Sequence, residues 1–308
     1  MSILNSENST PRQDLDLSVF GLPNAFVSMA REDLVHPSMG GNKFRKLRYN
    51  VKQARKDDHG SLLTFGGAYS NHILAVAKAG DFYGLKTIGV IRGEELQHKW
   101  QENPTLHKAN ELGMQLCFVS RQQYQKRAAP DTLAKLRQKH GEFYHVPEGG
   151  TNELAVRGCE EILSLADGAY DYICVPVGTG GTAAGLLRSL APGQKLFGFS
   201  ALQGTFQKEI IGAYAPLKDF MLTDAHCFGG YAKIDAVLVR FINEFKAATG
   251  IPLDPVYTGK MMYGIIQMLK NGEFRENSRI LAIHTGGLQG IAGMNSRLKK
   301  KNLPLLHE

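Results

Sequence analysis

Ile173-Cys174-Val175-Pro176-Val177-Gly178-Thr179-Gly180-Gly181-Thr182-Ala183-Ala184-Gly185-Leu186-Leu187 joins an apolar, strand-forming run to a glycine-rich turn and then to a helix-forming run. Strand, glycine loop and helix in that order form the unit from which open α/β sheets are built, and in such sheets ligands bind beyond the carboxyl ends of the strands. The free amides at the helix start, with the Thr179 and Thr182 hydroxyls, make a natural phosphate cradle. Gly178-x-Gly180-x-x-Ala183 also satisfies the degenerate dinucleotide fingerprint, which wants an acidic residue about 20 positions on. Ser200, Ala201, Leu202 and Gln203 stand there instead. No Gly-Lys-Ser/Thr closes a Walker loop. The segment is read as a cradle for one phosphate monoester, with a ligand-free turn as the bland alternative.

On both sides of this unit the chain alternates short apolar runs with helical patterns. Strands are expected at 62–65, 86–91, 114–119, 143–146, 172–177, 195–200 and 279–284. Helices are expected at 70–79, 105–112 and 131–139. Such alternation predicts an α/β fold with parallel sheets. The 308 residues suggest about two domains as a prior. No Pro/Gly linker separates them, so the expected arrangement is discontinuous. Residues 1–48 and 148–308 form a larger domain, and 49–147 form a smaller inserted α/β domain carrying four strands.

Composition narrows the classes. The chain is 43% hydrophobic and 21% charged, enough apolar material to bury a real core. The net charge is +7, but Arg297, Lys299, Lys300 and Lys301 near the end supply more than half of it. The body is only mildly basic, which argues against a nucleic-acid surface and fits attraction of a small anion. Cys117, Cys159, Cys174 and Cys227 form no CxxC pair and read as reduced core residues. Met1-Ser2-Ile3-Leu4-Asn5-Ser6-Glu7-Asn8 lacks the features of a signal peptide, and the uncharged run Tyr172–Leu187 contains an aspartate-free but glycine-rich stretch too short to span a bilayer. A soluble, cytoplasmic protein without a membrane or nucleic-acid partner is expected. The histidines show no metal-ligand spacing, so no metal is expected.

Three further strand ends carry glycines: Gly66-Gly67-Ala68-Tyr69-Ser70-Asn71-His72, Glu148-Gly149-Gly150 and His284-Thr285-Gly286-Gly287. In Gly40-Gly41-Asn42-Lys43-Phe44-Arg45-Lys46-Leu47-Arg48, the apolar residues Phe44, Leu47, Val51 and Ala54 fall at helical spacing. Lys43 therefore opens a helix just after a glycine turn. Its cationic neighbours Arg45, Lys46 and Arg48, together with desolvation, would lower its pKa and free an amine for imine chemistry. A solvated basic helix face is the alternative reading. Ser70 and His72 lack a GxSxG elbow and a third triad member, so a hydrolase is disfavoured. Tyr231, after Gly229-Gly230, and Tyr257, in Asp254-Pro255-Val256-Tyr257-Thr258-Gly259-Lys260, would ordinarily be read as buried aromatics with bonded hydroxyls.

Taken in order, these segments resemble the pyridoxal-phosphate enzymes of the 1-aminocyclopropane-1-carboxylate (ACC) deaminase and D-cysteine desulfhydrase family, over roughly residues 20 to 295. The resemblance implies the tryptophan-synthase β-like fold, with two open, mostly parallel sheets and the cofactor between two domains. It makes Lys43 the Schiff-base lysine and Gly178, Thr179, Gly180, Gly181 and Thr182 the phosphate cup. Asn71 matches the partner of the pyridine 3-oxygen, and Ser70 a substrate-carboxylate or proton-relay serine. Tyr231 and Tyr257 match active-site tyrosines. A homodimer acting on a small amino acid is also implied. Thr258 and Thr285 stand where the deaminases carry Glu and Leu, and hydroxyls at both are the desulfhydrase pattern. The expectation is β-elimination from D-cysteine to pyruvate, ammonia and sulfide, with ACC ring opening to 2-oxobutanoate and ammonia as the alternative. A nicotinamide oxidoreductase would leave Lys43 and the missing ribose acid unexplained. A nucleic-acid module would leave the glycine-bearing strand ends without a role.

Overall fold

The computed structural model describes residues 10–37, 39–216 and 218–307; the segment Met1–Asn8, read above for targeting signals, lies outside them. In chain order the strands are β1 (Arg12–Asp14), β2 (Phe26–Ala30), β3 (Ser61–Gly66), β4 (Lys86–Arg92), β5 (Met114–Val119), β6 (Tyr144–Val146), β7 (Tyr172–Val177), β8 (Lys195–Ser200), β9 (Met221–Thr223) and β10 (Arg279–Ile283). The helices are α1 (Asn42–Lys56), α2 (Asn71–Tyr83), α3 (Pro104–Glu111), α4 (Arg121–Gln125), α5 (Pro130–His140), α6 (Glu153–Glu160), α7 (Gly181–Ser189), α8 (Gln207–Tyr214), α9 (Ala236–Thr249), α10 (Thr258–Lys270) and α11 (Gly290–Lys299).

The strands form a six-stranded sheet in the order β1-β2-β10-β7-β8-β9 and a four-stranded sheet in the order β5-β4-β3-β6. Every pairing is parallel except β1 with β2. The expected α/β architecture with two mostly parallel sheets is therefore present. The small sheet comes wholly from residues 61–146, between the strands of the large one. The expected 48/49 divide falls inside α1.

Burial explains why the central strands read as continuous apolar runs. In β10, Ile280 and Ala282 enter one core with Phe245, Met261 and Ile265, while Leu281 and Ile283 enter another with Val175, Leu186 and Leu187. A strand covered on both faces needs apolar residues at every position. The strands not anticipated, β1, β2 and β9, are short; β1 and β9 pair with neighbouring strands β2 and β8, whereas β2 also pairs with the distant β10. Ile283 pairs with Ala30, so β2 exists only because β10 arrives beside it.

The helix α1 differs from a solvated basic face. Arg45 is 2% exposed, and its Nε and Nη2 donate to the two carboxylate oxygens of fully buried Glu32 at 2.9 Å. Arg48 pairs with Glu161. These carboxylates, far from α1 in sequence or on the preceding turn, turn two exposed-looking cations into interior ones.

Candidate active site

The helix that carries Lys43 is docked by its first residues. Gly41 has φ +85°, a left-handed conformation open to glycine, and a Cβ there would lie 2.3 Å from the Thr285 carbonyl. The Asn42 amide donates to that same carbonyl at 3.2 Å. The start of α1 thus rests against the loop after β10. From there the Asn42 side chain donates to Thr182 Oγ1 at 2.8 Å, and Lys43 Nζ donates to Asn42 Oδ1 at 3.2 Å. Burial, and secondarily the charge of Lys46, lower the Lys43 amine from 10.5 to about 7. Of the three cationic neighbours expected to act on it, only Lys46 does so; Arg45 and Arg48 are turned to their carboxylates.

The glycine loop after β7 opens directly onto the N-terminus of α7. Gly180, with φ +86°, caps α7, and a Cβ on it would meet Ile211 Cγ1 at 2.9 Å. Lys46 Nζ lies beneath the loop, donating to the Gly149 carbonyl at 3.0 Å, Thr151 Oγ1 at 3.1 Å and Thr179 Oγ1 at 3.5 Å. Lys46 is 2% exposed and enters none of the ion pairs among the described residues. A buried lysine surrounded only by neutral oxygens is costly unless an anion arrives. Sequence reading used Lys46 only as a neighbour. Its position three residues after Lys43, on the same helix face, was the available signal.

A cleft of about 1250 Å³ opens at the carboxyl ends of β3, β4, β7 and β10. Lys43, Ser70, Asn71, Gly178, Thr179, Gly180, Thr182, Tyr231, Tyr257 and Thr285 all line it, whereas Gly181 and Thr258 do not. Ser70 Oγ caps α2 by accepting from the Ile73 amide at 3.3 Å. Asn71 Oδ1 accepts from Gln289 Nε2 at 3.0 Å, which orients its amide across the cleft. The Tyr231 and Tyr257 rings stand 6.2 Å apart. Enclosure pushes the Tyr257 phenol well above its usual value, so it stays a proton carrier rather than a phenolate.

Thr258 is fully buried behind Asp254, a residue that sequence reading quoted but gave no role. Asp254 Oδ1 accepts from the Thr258 amide at 2.8 Å and its hydroxyl at 2.9 Å. Asp254 Oδ2 accepts from the amides of Val256 at 2.9 Å and Tyr257 at 3.1 Å. A carboxylate has about four acceptor positions, and here the loop itself uses them. Asp254 also lines the cleft, but as a loop organiser whose oxygens are taken. In the first turn of α10, Lys260 Nζ donates to the carbonyls of Cys227 and Gly230 at 2.7 Å each, holding the turn before Tyr231.

Residues 23–286 match the family model described as pyridoxal-phosphate dependent enzyme. The chain belongs to that family. A bifunctional D-cysteine desulfhydrase/ACC deaminase, mitochondrial, of Arabidopsis thaliana is 30% identical over 88% of this chain and 75% of its own length. A D-cysteine desulfhydrase of Salmonella paratyphi A is 28% identical over 87% of this chain and 89% of its own. A crystal structure of an ACC deaminase homologue superposes with a TM-score of 0.81 at 28% identity, covering 95% of this chain and 93% of that one.

As a pyridoxal-phosphate dependent enzyme, the chain has side chains that fit the cofactor. The cradle and Lys46 suit its phosphate, and the neutral-leaning Lys43 amine suits its aldehyde. His72 adds an independent sign. It is buried, its Nε2 is hydrogen-bonded with Thr64 Oγ1 at 2.8 Å, and its Nδ1 has no partner. Burial, then the charges of Lys43 and Lys46, hold this imidazole neutral, well below its usual pKa. An unpaired buried nitrogen beside the cradle is the state expected of a wall shaped around a ligand.

Proposed function

We propose that the enzyme eliminates sulfide from D-cysteine or a closely related β-substituted amino acid. When bound, pyridoxal phosphate supplies a conjugated ring that draws away the electron pair left at Cα. The chain's own groups supply the rest. The first amides of α2, with Ser70, receive the substrate carboxylate at a helix N-terminus. Lys43 Nζ takes the α-proton, and its pKa of about 7 suits a general base near neutrality. Tyr257, kept protonated, faces the leaving group's side of the cleft with Tyr231. The Cβ–S bond breaks, sulfide leaves, and water hydrolyses the remaining enamine to pyruvate and ammonia.

The observation that carries this reading is that, among the described residues, the carboxylates on the cleft wall are already engaged: Asp33 by Arg31, Glu95 by Arg121 and Glu148 by Arg127. Of the two threonines only Thr285 reaches the cleft; Thr258 gives its hydroxyl to Asp254, whose oxygens are taken by its own loop. A weaker electron sink suffices where a thiolate departs at once, and serves ring opening of ACC less well. Relatives with both names favour keeping ACC deamination as the second reading. The test is release of pyruvate or 2-oxobutanoate from D-cysteine, L-cysteine, D-serine, β-chloro-D-alanine and ACC, measured side by side. Turnover of ACC without sulfide release from D-cysteine overturns the first reading in favour of the second.

The same proposal takes 49–147 as a domain inserted into the larger one and the enzyme as a cytoplasmic homodimer. Four unpaired cysteines suit a reducing compartment, and exposed Val19, Leu165 and Phe206 supply apolar contact surface. No helix among the described residues is long and apolar enough to cross a membrane. Light scattering on the purified protein decides the oligomeric state.

A further inference from the structure

The cleft of about 1250 Å³ has to hold the cofactor as well as the substrate. Its outer wall is built by β4 and α4 around Tyr124. The Tyr124 ring is buried, and its hydroxyl donates to Glu148 Oε1 at 2.6 Å. The Arg127 guanidinium lies 5.1 Å from that ring and pairs with Glu148 at 2.8 Å. Further out, Arg121 pairs with Glu95 at 3.2 Å. Each of these arginines has its carboxylate.

Arg92 does not. It ends β4, beside the end of β3 that leads to Ser70, because Gly66 pairs with Ile91. Arg92 is itself exposed at the rim; its guanidinium lies over the Tyr124 ring, 5.6 Å from its centroid, and enters no ion pair among the described residues. Its Nη2 stands 3.7 Å from the position a Cβ of Gly67 would take, above the turn that receives the substrate. Enclosure pushes the Tyr231 phenol up, and the Arg92 charge opposes that rise.

We propose that Arg92 recognises a second anionic group, carried on the side chain of the substrate, so that the preferred substrate is an amino acid with an acidic β-substituent. This rests on the elimination reading above, which leaves the α-carboxylate to α2 and Ser70. A planar guanidinium held on an aromatic face is preorganised for a carboxylate and loses little freedom on binding it.

The probes are S-carboxymethylcysteine and its neutral isostere S-isobutylcysteine, each enantiomer, with the holoenzyme. Elimination breaks the Cβ–S bond, the α-proton goes to Lys43, and the thiolate leaves as mercaptoacetate or isobutanethiolate. Hydrolysis then yields pyruvate and ammonia from either compound. The expected result is a kcat/KM at least 10-fold higher for the acid. Arg92→Met reduces that ratio by about 10- to 100-fold, the worth of a charge-assisted hydrogen-bond pair, chiefly through KM. Arg92→Lys restores part of it. A wild-type ratio near one, or an equal loss on both compounds in Arg92→Met, overturns the proposal. If no amino acid, D-cysteine included, yields product, the elimination reading falls by itself. Calorimetric titration of the holoenzyme with the same pair then decides Arg92: a 10-fold preference for the acid upholds it, and equal or absent binding overturns it. Arg92→Gln replaces Arg92→Met if the latter fails to retain its cofactor absorbance.

Discussion

The side-chain amide of Asn42 donates to the hydroxyl of Thr182 at 2.8 Å, joining the residue before Lys43 to the end of the glycine loop after β7. The two stand 140 positions apart in sequence. One hydrogen bond therefore couples where Lys43 stands to how the glycine loop is shaped.

Asn42→Ala removes that coupling. A typical net hydrogen bond contributes about 0.5–1.5 kcal/mol, so cofactor affinity should fall by about 2- to 10-fold with little loss of thermal stability. Equilibrium dialysis of the cofactor against wild type and variant measures it. Unchanged affinity would mean that cradle and lysine are positioned independently.

We propose Lys43 as the reactive amine, and its pKa sets a pH signature. With the amine near 7, cofactor capture by the cofactor-depleted enzyme should accelerate as pH rises through about 7 and level off above it, because only the neutral amine attacks an aldehyde. An exposed lysine would still be accelerating at pH 9. Borohydride reduction of the loaded enzyme should leave the cofactor on the peptide containing Lys43. Lys43→Ala should lower kcat by at least about 100-fold, the lower end for loss of a general base.

Gly180→Val places a Cβ 2.9 Å from Ile211 Cγ1 at a backbone φ of +86°. The strain is about 1–2 kcal/mol locally, but the cradle's amides are displaced with it. Cofactor affinity should drop more than 10-fold while the melting temperature without cofactor falls by only a few degrees. A parallel loss of both would make the loop a folding element rather than a binding one.

Lys260 is depressed to about 8 by burial. Between about pH 8 and 10.5 the folded chain then binds fewer protons at this site than the unfolded chain, so its contribution makes stability rise with pH across that window. Lys260→Met should abolish that component, visible as a flatter pH dependence of unfolding free energy than wild type. It also leaves the Cys227 and Gly230 carbonyls without their donor, at a cost of about 1–3 kcal/mol. Urea melts from pH 7.5 to 10.5 on both proteins provide the comparison.

Local sequence determined the elements whose stability is local. The apolar run Tyr172–Val177, the glycines after it and the helical spacing of Phe44, Leu47 and Val51 specify strand, loop and helix wherever the rest of the chain lies, and β5 has the limits expected of it. The motif residues also singled out Lys43 and the glycine loop as candidates, since imine and phosphate chemistry demand those residue types. Tertiary structure alone decided the rest. β2 exists by pairing with β10, Arg45 became interior because Glu32 meets it, and Lys46 entered the cradle from another element. It also placed Thr258 behind Asp254 and left Arg92 without a carboxylate. Each of these depends on which distant group fills the space around a side chain. Burial and charge pairing are properties of that neighbourhood, and a linear sequence does not list its neighbours.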